Sequence, residues 1–349
     1  MENYPKTIDG HVHVFGRGIQ GVRDMLALEH SFGYEACNFL SCECMDDAAQ
    51  NAMGIYLKAL APENFAFGGL TYRCDCDFAA ELDALWKIGF DGMKMVENKP
   101  SLRKKLGVAF NDPRYDGFYK KLEELQIPLL SHVADPEECW DRALIPDWAY
   151  DAGYFYGDGT YEEKETLYAE VEDVLTRFPR MKVILAHLFF MSADLERLDS
   201  LLERHPNVCL DLVAGTEMYW NFGKRPAEWR EFFLKYQDRI IYGTDNSNLY
   251  DAIELENARI TNRLEREFLT ACGTVRAWDK STEGIALPAD VQKKILRENF
   301  LRLTGGAPRP LDRAAAARYL AARLENQALA LTGEERAAIG DVLAFLQHG

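Results

Sequence analysis

Residues 7–14 read TIDGHVHV, with His11 and His13 one residue apart at the end of a β-branched run. Neutral imidazole binds borderline dications and carries protons near neutral pH. In a strand, side chains at i and i+2 share a face, so both rings point the same way. Two more histidines end short apolar runs, His132 in IPLLSHVA and His187 in KVILAHL, and Asp245 ends RIIYGTD. Four of the seven histidines thus fall where a run of strand character stops. One such histidine alone would read as a hydrogen-bonded core residue, but the recurrence reverses that balance. Several N and O donors converging at one place would hold a cation such as Zn2+. His30, His205 and His348 fall on helical or terminal segments and are left out.

A fold has to carry those scattered residues to one place. Eight short β-branched or apolar runs recur, at 6–14, 36–42, 65–72, 91–96, 127–134, 182–188, 208–213 and 239–245. Between them, segments such as 77–90, 114–126, 161–179 and 192–206 set apolar residues at i, i+3, i+4 and i+7 with charges opposite. Leu195, Leu198, Leu201 and Leu202 form one such stripe. Strand then helix, eight times over, predicts parallel strands joined by right-handed crossovers and closed into an α/β fold, the (β/α)8 TIM barrel. An open doubly wound sheet is the alternative, but no G-x-G-x-x-G follows any run. Barrel active sites lie at the C-terminal ends of the strands, where His11, His13, His132, His187 and Asp245 fall. On the first run Ile8, Val12 and Val14 suit the helix layer. Asp9, His11 and His13 are therefore predicted to face inward, Asp9 one step deeper as a support for the ligands.

Residues 288–305, PADVQKKILRENFLRLTG, read as an amphipathic helix that ends the barrel domain, 1–305. From 306 the composition shifts. GAPRPLD is a linker, and the Ala-, Leu- and Arg-rich remainder makes 306–349 a C-terminal helical extension, with helices near 312–330 and 333–347. They would pack on the barrel exterior or on a second subunit; the oligomeric state, homo-oligomer or monomer, is open.

Lys and Arg total 40 against 56 Asp and Glu, a formal charge of -16. Such a surface repels phosphate backbones and anionic lipid, so neither nucleic acid nor a membrane is expected as a partner. The opening residues, MENYPKTIDG, lack a basic stretch followed by an apolar one, and no apolar run approaches about 18 residues. A cytoplasmic protein is expected. Its eight cysteines then read as free thiols, with no disulfide. The C-x-C stretches at 42–44 and 74–76 are tighter than the spacing usual for structural zinc.

Lys94, in DGMKMV, would face the interior from the fourth run, and a buried lysine needs a reason. It could carry a carbamate bridging two metals, remain an ammonium that binds a substrate anion, or snorkel out with its stem packed. Glu97 is a rival ligand near the same end. The two have opposite parity in a regular strand, and Lys94 is preferred.

With H-x-H on the first strand, His on the fifth and sixth and Asp on the eighth, the chain resembles the amidohydrolase superfamily. Within it, the nearest likeness is to the amidohydrolase-2 branch, which contains aminocarboxymuconate semialdehyde decarboxylase and many uncharacterised metal-dependent hydrolases. IDGHVHV, IPLLSHV, VILAHL, IIYGTDN and ILRENFLRLTG carry the resemblance, which spans about residues 6–305; the last looks like that branch's terminal N-x-x-R-L helix. The resemblance implies metal ligation by His11, His13, His132 and Asp245. His187 is then a second-metal ligand or, with one metal, a catalytic residue beside it. Members with two metals often bridge them with a carboxylated lysine at the position of Lys94, although the neighbouring MVENKPS matches no bridging-lysine pattern. The cofactor is one or two Zn2+, with other divalent metals open.

A dication held by neutral imidazoles lowers the pKa of bound water to about 7. Asp245 would take that proton and pass it to a leaving group, while His187 or the metal polarises the scissile carbonyl. The expected activity is hydrolysis of an amide, lactone or other ester bond of a small substrate. The alternative implied by the resemblance is a lyase that decarboxylates or hydrates an unsaturated or aromatic acid. A barrel that binds without turnover is a third class, and the intact His and Asp set argues against it. Residues 135–161 are long and rich in Trp and Tyr, as in a lid. Trp140, Trp148, Tyr154 and Tyr156 would enclose an apolar or cyclic group, or pack the loop on the barrel. The segment 214–226 adds aromatics at the same mouth. Arg73, Arg17 and Lys94 could each meet a carboxylate, a lean toward an anionic substrate.

Overall fold

All eight runs form strands, and all pair in parallel. A computed structural model describes residues 5–213, 215–248 and 251–348; Ala214, the first residue of the aromatic 214–226 segment, lies outside them. The strands are β1 (Ile8–His13), β2 (Ala36–Leu40), β3 (Phe65–Gly69), β4 (Gly92–Asn98), β5 (Leu129–Val133), β6 (Val183–Leu185), β7 (Val208–Asp211), β8 (Ile240–Ile241) and β9 (Asn246–Ser247). They neighbour one another in chain order, and β9 returns to β1. The last two are pieces of one run: Ile240–Ile241 pairs with β7 and Asn246–Ser247 with β1, so the eighth run closes the ring. Gly10 N–H to Tyr242 O (3.1 Å) and Asp245 N–H to His11 O (2.9 Å) complete the seam. The fold is a (β/α)8 TIM barrel.

Helices follow where the apolar stripes fall, among them Phe78–Ile88, Asp116–Leu125, Lys164–Arg177 and Leu195–Arg204. The closing segment, Ala289–Thr304, is helical throughout but passes through a π turn at Lys294–Glu298. There the Ile295 carbonyl accepts from Tyr242 N–H, and the Asn299 amide donates to Gln237 O (2.7 Å) and Ile240 O (2.8 Å). The ILRENF stretch therefore pins the short eighth strand from below. Phe300 plugs the barrel floor among Ile8, Phe65, Phe67 and Ile241.

Ile8 thus lies inside the barrel, while Val12 and Val14 pack in the helix layer. Strict alternation cannot do both. Between Asp9 and Val12, β1 advances three residues against two on β2, a β-bulge that reverses the parity. His11 and His13 remain inward, but Asp9 does not, which corrects the sequence expectation. Its carboxylate accepts from the amides of His11 (3.0 Å) and Thr244 (3.1 Å) and from the Thr244 hydroxyl. Asp9 therefore supports His11 and the residue before Asp245 through their backbones.

Two further features were not legible. Cys74 and Cys76 form a disulfide, against the expectation of free thiols throughout. A β-hairpin, β10 (Cys272–Ala277) and β11 (Lys280–Ile285), follows the long helix Ala252–Thr270. It docks on helix Thr216–Phe222 through Thr282 Oγ1 to Tyr219 O (2.7 Å). Among the described residues no helix is long and apolar enough to cross a membrane.

The extension forms helices Arg313–Glu325 and Gly333–His348, packed on the barrel exterior against helix Gln50–Leu60. Its anchor is Arg323, which reaches Glu43 (2.6 Å) and Ala48 O (2.8 Å) beside the turn that follows β2. Both charged side chains are buried, 7% and 0% exposed. Arg323→Ala leaves Glu43 in the interior without its cation, and is expected to destabilise the protein by about 3–5 kcal/mol, measured by urea unfolding.

Candidate metal centre

His11, His13 and Asp245 bring one donor atom each to a single point at the C-terminal mouth, all within 4.8 Å of one another. His11 Nε2 lies 3.2 Å from His13 Nε2 and 3.4 Å from Asp245 Oδ1; His13 Nε2 to Asp245 Oδ1 is 3.1 Å. Ligands about 2.0–2.2 Å from a dication, at tetrahedral to octahedral angles, stand roughly 2.8–3.6 Å apart. The spacing fits one ion.

The far side of each ring supports the same role. His11 Nδ1 is 2.9 Å from Asp211 Oδ2, and a proton held there leaves Nε2 with a free lone pair. Burial, reinforced by Lys94, keeps His11 far below the usual imidazole range, hence neutral. His13 Nδ1 faces Cys42 Sγ at 3.7 Å. Burial opposes charge on His13, but Cys42 and Asp245 outweigh it and raise the ring to about 9. Burial also opposes charge on Asp245, yet the hydrogen bond from His13, helped by the charge on that ring, holds it well below the usual carboxylate range.

His132 and His187 form a pair of their own, His132 Nδ1 to His187 Nε2 at 3.1 Å. His132 Nε2 lies 3.0 Å from Ala134 O, and His187 Nδ1 lies 3.3 Å from Val213 O. Carbonyls only accept, so two neutral rings that satisfy both carbonyls turn two bare nitrogens toward each other. That is a second place for a proton or a cation. The His187 and His11 ring centroids are 5.7 Å apart, so pair and triad share one mouth.

The backbone at this mouth is strained. His187, Leu188, Phe189 and Phe190 all have positive φ, 56°, 52°, 57° and 49°, and Ala134 and Asp245 do as well. Left-handed residues other than glycine cost about 1–2 kcal/mol each. Asp211 holds the turn by accepting His187 N–H (2.7 Å), and the Tyr168 hydroxyl donates to Phe189 O (2.9 Å). Strain held this firmly at a strand end belongs to functional sites.

Lys94 is buried, not snorkelled, and its Nζ lies 3.3 Å from His11 Nε2. Burial pulls it below the ordinary lysine range. Glu97 instead accepts from the Tyr72 hydroxyl (3.0 Å), where a second irregularity between Met95 and Asn98 breaks the alternation; burial pushes it up to about 7. Arg73 is committed to Glu335 of the extension, at 2.8 and 2.7 Å, and Arg17 to Asp24 at 2.7 Å. Trp140 packs inside the lid on Tyr156, ring centroids 5.0 Å apart, whereas Trp148 lines a cavity at the mouth. Sequence reasoning missed Asp211 and Cys42. Asp211 ends β7, two residues before the seventh run stops, and its place near that strand end was the available signal.

A closed parallel barrel whose rim gathers imidazoles and a carboxylate defines a class of barrels able to hold a metal ion at that rim. The chain belongs to the amidohydrolase family: the family model Amidohydro_2, "Amidohydrolase", matches residues 8–305. No curated protein matches it. Among solved structures, an uncharacterised TIM-barrel protein from Bordetella bronchiseptica is 15% identical, with 86% of this chain and 100% of that one covered and a TM-score of 0.52. The 5-carboxyvanillate decarboxylase LigW2 from Novosphingobium aromaticivorans, with bound manganese and 3-methoxy-4-hydroxy-5-nitrobenzoic acid, is 14% identical over 87% and 97% of the two chains, TM-score 0.52. Metarhizium anisopliae IDCase in its apo form is 12% identical over 86% and 97%, TM-score 0.51. At these identities the likeness is one of fold.

Proposed function

We propose that this protein is a divalent-metal hydrolase that cleaves an amide, lactone or other ester bond of a small substrate. The observation that carries it is the 3.1–3.4 Å spacing of the His11, His13 and Asp245 donors in a half-open mouth. Two imidazoles and a carboxylate suit Zn2+, with other divalent ions open. His132 and His187 complete the set as ligands or, for His187, as a catalytic group. A bound dication supplies Lewis acidity and acidifies water there. The Asp245 carboxylate, through the oxygen that does not serve as ligand, receives the proton released from the attacking water and returns it to the leaving group. His187, kept neutral because burial and His132 lower it to about 3, holds its one N–H on Val213 O (3.3 Å) and presents Nε2 as a lone pair, so it would act as a ligand or a proton acceptor. Asp211 and Cys42 fix the two ligand rings.

The second reading, a decarboxylase or hydratase, draws on Lys94. Its ammonium has no carboxylate within ion-pair distance among the described residues and suits the carboxylate of an acidic substrate. Elemental analysis of protein purified without added metal is expected to find at least one dication per chain, lost in His11→Ala. Protein that holds none, and takes up neither Zn2+ nor Mn2+, would overturn both readings. CO2 release, or addition of water without cleavage, would decide for the lyase.

A further inference from the structure

A cavity of about 510 Å3 opens between the lid, helix Thr216–Phe222 and the β10–β11 hairpin. It adjoins the metal centre through Asp135, which lines it and lies 3.4 Å from His132 Nε2. The donor triad itself is not on its walls. It is large enough for the ring-bearing part of a small molecule.

Two properties of the walls limit the occupant. Leu144, Trp148, Tyr154 and Trp220 make them apolar and flat-faced. Leu144 and Trp148 are 61% and 70% exposed, and large apolar groups left open in a concavity mark a binding surface. The second property is charge. Lys224, at the end of the helix, bonds only the neutral Asn221 amide oxygen (2.8 Å). Lys280, on the hairpin, stands 5.7 Å from the Trp220 ring centroid. Neither has a carboxylate partner among the described residues, in a chain with net charge -16. The acidic wall groups are Asp135, Glu138 and Glu217. Asp135 is taken up by Lys99 (2.7 Å) and the Tyr156 hydroxyl (2.7 Å), and burial pushes Glu217 up to about 7.

Resting on the metal-centre reading, we propose that this cavity is a distal subsite for a flat apolar body ending in an anionic group. The bond to be cleaved would then lie at the metal centre and the charged end beside Lys224 and Lys280. The substrate class is a small molecule charged at the end remote from the reaction.

The probes are 3-phenylpropane-1-sulfonate, whose sulfonate is a weak metal ligand, and uncharged 3-phenylpropan-1-ol, titrated calorimetrically into protein as purified. The sulfonate is expected to bind about tenfold more tightly. Lys224→Ala/Lys280→Ala should erase that preference while keeping the metal content and the affinity for the alcohol; Trp148→Ala should weaken both ligands. Equal affinities in the wild type, or a preference that survives the double substitution, would overturn the subsite. If stripping the metal abolishes the preference and the double substitution does not, the anion sits on the metal. That result sinks the subsite and leaves the metal reading standing. A preference carried by the two lysines in a protein that binds no metal would do the reverse.

Discussion

Asp245→Asn is expected to reduce turnover by roughly 10²–10⁴-fold with little change in melting temperature. The backbone reason for the intact fold is specific. Asp245 has φ 61°, and Asn is among the few residues that adopt this region as readily as Asp. Its amide bond to His11 O, 2.9 Å, is untouched by the change. The chemical loss is equally specific. Oδ1 sits 3.1 Å from His13 Nε2 and 3.4 Å from His11 Nε2, so an amide oxygen can still occupy the donor position. It carries no charge there and cannot take up a proton. Turnover, metal content and circular-dichroism melting on the same preparation test this. Full activity in the metal-loaded variant would remove Asp245 from the proposed chemistry.

The split between what the sequence discloses and what it hides follows from the range of the interactions. Eight strands and the helices between them are written in local periodicity, and strand-end position alone picks out His11, His13, His132, His187 and Asp245. Those residues do meet at one mouth, as a triad and a facing pair. Parity fails where a single extra residue intervenes: the bulge after Asp9 turns that carboxylate out of the barrel, and Gly10 is its one local mark in TIDGHVHV. The hairpin at Cys272–Ile285 has alternate positions exposed on a surface patch, so its apolar signal is weak. Arg73 reads as a free cation until residue 335 folds back on it, a contact 262 residues away in sequence. Cys42 is equally invisible, because its meaning lies in the 3.7 Å to His13.

Asp211→Asn is expected to lower metal affinity about 10–100-fold, the effect of losing the group that orients a ligand histidine. The carboxylate has two oxygens with different duties and no solvent. Oδ2 faces His11 Nδ1 at 2.9 Å, and Oδ1 accepts from His187 N–H at 2.7 Å and Val213 N–H at 3.3 Å. An asparagine that keeps its oxygen on the two amides turns its NH2 toward His11 Nδ1. The ring must then carry its proton on Nε2, where it cannot ligate. An asparagine flipped the other way keeps His11 correct but sets NH2 against two backbone donors, His187 N–H in the left-handed turn and Val213 N–H after β7. Leaving those buried donors unpaired costs about 1–3 kcal/mol apiece. Either orientation surrenders something measurable, so chelator competition and urea unfolding, run together, form the test. Affinity and stability both at wild-type levels would show that Asp211 does not set the tautomer of His11.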